Sequence, residues 1–276
     1  MPDAVQDIFK NWAPSIWLTL SIAVTAVIYL RGWSLIRKTR PVQFTGMRLA
    51  SFFAGLIILW LAIASPLDGF ADVLLSAHMV EHLLLMSVVP PLLLLGLPVV
   101  PLLRGLPEAL RRHLVGPLLR VPFLRSFGRW LVTPLIAWAA MNVTFIAWHV
   151  PTAFDFALQN EGWHAVEHLC FLSTSIFFWW CIVQPWPAGT NRNSWSILIY
   201  LVLADVVNTL LAAFLTFCNR PVYGYYTDHP NPFGASPLED QVLGAAIMWV
   251  IGSLSFLVPA MLLTLRMLRP SRLMLS

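Results

Sequence analysis

Seven apolar runs, each near the roughly 20 residues a helix needs to cross a bilayer, constrain this chain more than any other feature of its sequence. They lie at about 14–31, 48–65, 73–95, 131–149, 164–184, 195–218 and 242–267. Inside hydrocarbon, backbone N–H and C=O groups find no water, so each run must satisfy its own groups by folding as a helix. The expected fold class is all-α: a polytopic membrane bundle of seven transmembrane helices, one transmembrane domain over residues 1–276. Composition agrees, with 11% charged residues against about 25% in soluble domains. The start, MPDAVQDIFKNW, lacks the basic stretch of a cleaved signal, so the first run is expected to persist as a span.

Charge placement predicts orientation. Fifteen of the 17 Lys and Arg fall on one side of this topology: Arg31 to Arg48, Arg104 to Arg129, Arg192, and Arg266 to Arg272. Only Lys10 and Arg220 fall on the other. Of the 13 acids, Glu108 alone is clearly on the basic side. The positive-inside rule then puts the N-terminus outside and the C-terminus in the cytoplasm. The same placement explains the basic net charge without nucleic acid; the expected partner is membrane lipid. Trp12, Trp17, Trp148, Trp163, Trp179, Trp180, Trp186 and Trp195 cluster near span ends, where indoles anchor at headgroups. There is no phosphate-cradling glycine loop.

Two local features modify the simple bundle. Pro90-Pro91, followed by Gly96, Pro98 and Pro101, should kink or break the third span, because each proline lacks an N–H and crowds the preceding turn. Residues 107–129 mix Leu and Val with Arg at helical intervals. They read as an amphipathic segment on the cytoplasmic lipid surface, or equally as an ordinary loop.

The chemistry concentrates in two near-copies of one motif, His78-Met-Val-Glu-His82 and His164-Ala-Val-Glu-His168. On a helix, residues four apart stack on one face. Each copy therefore presents two imidazoles with a carboxylate beside them, donors that transition metals bind. A weak parallel repeat surrounds the motifs: Ser65-Pro66, Asp68 and Ala71 precede the first, and His149-Val-Pro151, Asp155 and Ala157 precede the second. Of seven histidines, only His113 is cytoplasmic in the expected topology. His78, His82, His149, His164 and His168 come from three spans at one membrane level. Each taken singly is as well explained by a hydrogen bond between helices, but five at one depth point to metal ligation.

Other groups could support such a site. Glu81 and Glu167 could ligate, shuttle protons or face headgroups. Asp205, isolated within the sixth span, needs a partner: a histidine of the cluster, or Asn208 or Thr209. Asp240 and Gln241 stand at the outer start of the seventh span. Met86, one turn below His82, offers a thioether suited to Cu(I), although methionine is also common core filler. Cys170, Cys181 and Cys218 form no CxxC pair.

The order HMVEHLLLM, PPLLLLGLP, WHVPTAFDFAL, HAVEHLCFL and LEDQVLGAAIMW resembles the seven-helix CtaG-type assembly factors of caa-type cytochrome c oxidases, over about residues 48–267. The resemblance implies a non-enzymatic, multi-pass protein of the bacterial plasma membrane that helps build the copper-containing oxidase. Its implied partners are cytochrome c oxidase subunits and a copper donor protein. By position it carries metal-site candidacy onto His78, His82, His149, His164 and His168, and onto Asp240-Gln241, with copper the implied metal.

The residues also admit other readings. Facing histidines could clamp haem iron for electron transfer. The H-x-x-E-H pattern matches zinc metalloproteases in which the glutamate is general base. Asp205, below the outer histidines, could continue the path of a metal permease, although the cytoplasmic half carries almost no ligand residues.

Overall fold

The computed structural model describes residues 14–184, 193–229, 231 and 233–268, together with 6, 9, 10 and 12. Trp186, Arg192, Arg269 and Arg272 lie outside the described residues. The described chain is helical and contains no strand. In order it forms α1 (Ile16–Arg37), α2 (Gly46–Ala64), α3 (Pro66–Ala71) and α4 (Leu75–Leu83), then a π-helical turn (Leu84–Val88), α5 (Val89–Leu95) and α6 (Val99–Gly105). A short piece α7 (Glu108–Leu110) and a second π turn lead to α8 (Gly116–Arg120) and α9 (Pro122–Leu131). The rest comprises α10 (Pro134–Trp148), α11 (Pro151–Leu158), α12 (Glu161–Val183), α13 (Ser194–Phe217), α14 (Gly224–Asp228) and α15 (Pro237–Leu268).

Among the described residues, six runs are long and apolar enough to cross a membrane: α1, α2, α4 through α5, α12, α13 and α15. The run expected at 131–149 behaves differently. Helix α10 has 15 residues, about 22 Å at 1.5 Å per residue, short of a hydrocarbon core of about 30 Å. It reaches span length only together with α9, to which it is bent by 67°. Pro134 opens α10, and Thr133 before it is extended, as the proline ring demands.

The apolar side chains that face outward are those lipid would cover: Leu135 is 72% exposed, Leu210 66% and Val250 61%. From Pro107 through Trp130 no residue is buried. On α9, Phe123, Phe127 and Trp130 stack in an exposed row with centroids 6.0 and 5.8 Å apart, and Arg125 and Arg129 share the helix.

The disturbance expected at Pro90-Pro91 falls one turn earlier, in the π turn. The helix restarts at Val89, so Pro90 occupies a first-turn position where its missing N–H is tolerated. In an unbroken helix the N–H of residue 90 would have bonded the Met86 carbonyl. That carbonyl instead accepts the Trp179 indole N–H at 2.9 Å.

The main core joins α4, α10, α12, α13 and α15 around Phe154, Phe171, Phe178, Leu201 and Met248. A second core attaches α1. There Tyr29 stacks on Phe52 at 3.7 Å and donates its hydroxyl hydrogen to the Gly96 carbonyl at 2.6 Å. Helices α1 and α6 meet backbone to backbone: a Cβ on Gly32 would lie 1.8 Å from the Pro101 carbonyl oxygen. The weak repeat also has a structural counterpart. A long helix, a short proline-started helix and a motif-bearing helix follow one another in α2–α3–α4 and again in α10–α11–α12.

Candidate metal centre

Helix α4 begins at Leu75 without a side-chain cap of its own. The cap comes from α15: Asp240 Oδ2 accepts from the Leu75 N–H at 2.6 Å and Oδ1 from the Ser76 N–H at 3.3 Å. Unpaired N–H groups at a helix start attract a carboxylate, so Asp240 fixes where α4 starts and therefore where His78 and His82 point. The two rings lie one above the other with centroids 4.1 Å apart, and the same spacing on α12 puts His164 and His168 4.2 Å apart.

The two motifs face each other. His78 stacks on His164 at 5.3 Å with planes 16° apart, and His82 meets His168 edge-on at 5.7 Å. Their glutamates cross over: Glu167 Oε1 lies 3.6 Å from His82 Nε2, and Glu81 Oε1 lies 3.7 Å from His168 Nε2. Both carboxylates are fully buried, so neither faces headgroups. One donor atom each from His78, His82 and Glu167 falls within a mutual 4.8 Å, and so does one each from His78, Glu81 and His164. The geometry thus brings two three-donor groups together around a shared His78.

His149 arrives from the end of α10, with its ring 6.2 Å from that of His82. Its Nδ1 lies 2.7 Å from the Phe145 carbonyl. A carbonyl only accepts, so Nδ1 carries the hydrogen and Nε2 of the neutral ring holds a lone pair. That Nε2 is buried with no hydrogen-bond partner. Phe154 lies against His78 at 5.0 Å, and Phe171 against His82 at 4.5 Å, as apolar walls.

The remaining candidates have other tasks. Gln241 Oε1 accepts from the Val222 N–H at 2.7 Å, while its Nε2 donates to the Leu215 and Arg220 carbonyls. It ties the end of α13 to the following loop and, like Asp240, supports the fold around the site without entering either donor group. Among the described residues Asp205 makes no hydrogen bond to the histidines, Asn208 or Thr209, and its buried Oδ1 has no hydrogen-bond partner. The inward face of α13 passes through Ala204 and Asn208, and Asp205 lies one position round the helix from it. Met86 lines a cavity together with His82 and His149.

Sequence reasoning missed the cover of the site. Tyr223 stacks on Phe154 at 4.0 Å and donates its hydroxyl hydrogen to the His149 carbonyl at 3.4 Å. Tyr226 donates to the Ala71 carbonyl at 2.7 Å. Asp155 holds this loop by accepting from the Gly224 and Tyr225 N–H groups at 3.1 and 3.2 Å. The run Val222-Tyr223-Gly224-Tyr225-Tyr226 carries no helical period, and the hydroxyl contacts of Tyr223 and Tyr226 lie 74 and 155 residues away in sequence.

The donor atoms fit a transition-metal ion. Both ring nitrogens of His78 and His82, both oxygens of Glu81 and Glu167, and Nε2 of His149, His164 and His168 are buried with no hydrogen-bond partner. Each such atom costs about 1–3 kcal/mol when nothing satisfies it. A cation among lone-pair donors would satisfy many of them at once.

A helical membrane bundle with imidazoles and carboxylates buried together near one end is the class that this fold and site define. The chain belongs to the cytochrome c oxidase caa3 assembly factor family (Caa3_CtaG), whose model matches residues 27–270. It is similar to an uncharacterized protein of Mycobacterium leprae, 25% identical over 90% of this chain and 38% of the relative. It is also similar to uncharacterized proteins of Mycobacterium bovis and Mycobacterium tuberculosis, each 24% identical over 98% of this chain and 41% of the relative. The chain thus spans about two fifths of the length of these curated relatives. No solved structure matches.

Proposed function

We propose that this member of the caa3 assembly factor family binds copper through His78, His82, His164, His168, Glu81 and Glu167, with His149 adjoining. It then passes the ion to a cytochrome c oxidase subunit. The observation that carries this reading is the crossed pairing of His82 with Glu167 and His168 with Glu81 among buried, otherwise unpartnered donors. Imidazole with carboxylate is a borderline-to-hard donor set, suited to a divalent ion such as Cu(II) or Zn(II). Two buried carboxylates, when ionised, balance that charge. The protein acts as a carrier in the bacterial plasma membrane, and the arginine distribution supports a histidine end that faces outward.

Two features favour ion binding over the other readings. Phe154 and Phe171 pack directly on the His78 and His82 rings, where a clamped porphyrin would need open space. Each motif glutamate faces the opposite motif's second histidine, which suits a duplicated ligand set better than a protease's single general base.

The test is metal analysis of detergent-purified protein, with the copper content of caa3-type oxidase from the same cells. Combined His78→Ala and His164→Ala should abolish binding of the ion and lower oxidase copper while the bundle stays folded. Normal copper in both would overturn the reading.

A further inference from the structure

Adjoining the imidazole group lies a small cavity of ≈ 30 Å³, room for about one water-sized occupant. Its lining includes Met79, Met86, Met141 and Met248, together with His82 and His149. Four of the chain's nine methionines thus border one small cavity, and each is at most 8% exposed. Asn142 and Asn208 also line it. Each directs an amide hydrogen to a backbone carbonyl, of Trp138 at 2.8 Å and of Met248 at 3.3 Å.

The arrangement runs in depth. From α4 into the π turn the chain descends from His82 to Met86, about one turn further in. On α10, which runs the opposite way, Met141, Phe145 and His149 share a face at spacings of four, with the methionine deeper. Met86 and Met141 thus lie deeper than His82 and His149, while Met79 lies between the two motif histidines of α4. Met86 also sits in the π turn, whose freed carbonyl Trp179 satisfies; such turns recur at functional sites. The unpartnered Nε2 of His149 belongs to a buried residue that lines the same cavity.

We propose that this cavity is a second site for a soft monovalent cation of the Cu(I) class, held by thioethers and by His82 and His149, and joined to the upper group through His82. Methionine as gap filler would account for any one of these side chains. It does not account for four around a cavity that also holds two histidines and two asparagines. Thioether is a neutral, soft donor that selects Cu(I) over divalent ions. A monovalent ion also demands less compensating charge at this depth than a divalent one. The inference rests on the metal-carrier reading above and adds a soft site to it.

The test uses Ag(I), a redox-inert soft cation, and Zn(II), on the full chain in detergent. Wild type is expected to bind one more equivalent of Ag(I) than the quadruple variant M79L/M86L/M141L/M248L, and to show silver–sulfur scattering in X-ray absorption. Leucine conserves volume at these positions, and the variant should retain Zn(II). If it fails to fold, the pairs M79L/M86L and M141L/M248L should each reduce the sulfur scattering by about half. Unchanged Ag(I) stoichiometry in the variants, or no sulfur scattering in wild type, overturns the proposal. Ag(I) bound through sulfur in a protein that takes up no Zn(II) or Cu(II) would support this site and sink the upper one.

Discussion

Glu167 on α12 reaches across to His82 on α4, with Oε1 3.6 Å from Nε2, and the same relationship recurs in reverse between His168 and Glu81 at 3.7 Å. Two copies of one short motif thus complete each other, and neither helix holds a full donor group alone. Glu167→Gln is expected to weaken Zn(II) or Cu(II) binding at least tenfold by titration calorimetry. In a cycle with His82→Ala, the two losses should be far from additive, because both residues belong to one group. Additive losses would mean that the pair is not a unit.

Asp240 acts at a distance from the donors by holding the start of α4. Asp240→Ala should lower stability by about 0.5–2 kcal/mol, the range for a lost helix cap, and should loosen metal binding through misplacement of His78. Asp240→Asn, which keeps an oxygen acceptor, should recover most of the thermal stability. If Asn and Ala behave alike, the carboxylate does not serve as a cap.

Asp68, on the loop helix α3, is pushed up to about 6 by burial first, then by the negative charges of Asp72 and Glu161. A raised carboxylate value means that the fold favours the protonated form. That contribution is full below the ordinary value of 3.8 and is lost as pH rises through about 6. Asp68→Asn, which imitates the protonated state, should therefore raise the melting temperature at pH 7.5 and leave it nearly unchanged at pH 4. The two melts decide it; an equal shift at both would show that the charge of Asp68 is not responsible.

Trp179→Phe removes the indole N–H that occupies the Met86 carbonyl and keeps most of the ring. A buried carbonyl without a partner costs about 1–3 kcal/mol, so chemical denaturation should show a loss of that size. The π turn next to Pro90 should also exchange its amide hydrogens faster. No change in either would mean that the π turn persists without the indole.

Metal binding itself should weaken as pH falls, since protons compete for imidazole and carboxylate lone pairs. Zn(II) released on acidification should carry a proton uptake measurable by calorimetry in buffers of different ionisation enthalpy. Binding that is independent of pH would exclude the imidazole–carboxylate group as the ligand set.

Much of this protein could be read from its residues one at a time. Runs of apolar side chains about 20 residues long permit only helices across hydrocarbon, and the i, i+4 spacing of His78 with His82 and of His164 with His168 fixes which rings stack. The lateral order of helices is not written in local sequence. Asp205 illustrates this: a lone buried acid calls for a partner, yet its position on α13 turns it away from the histidines. The span expected at 131–149 was clear as an apolar run, but only the tertiary structure shows that α10 falls short of span length by itself and is bent by 67° from α9.

The sequence by itself determined the all-helical membrane architecture and the identity of the donor atoms, because hydrocarbon imposes backbone satisfaction and side-chain spacing imposes faces. Only the tertiary structure decided that each glutamate meets the opposite motif's histidine, that Asp240 caps α4, and that four methionines gather around one cavity with His82 and His149. Those contacts join residues from tens to more than 150 positions apart, and their formation depends on how helices pack side by side, which no local periodicity encodes.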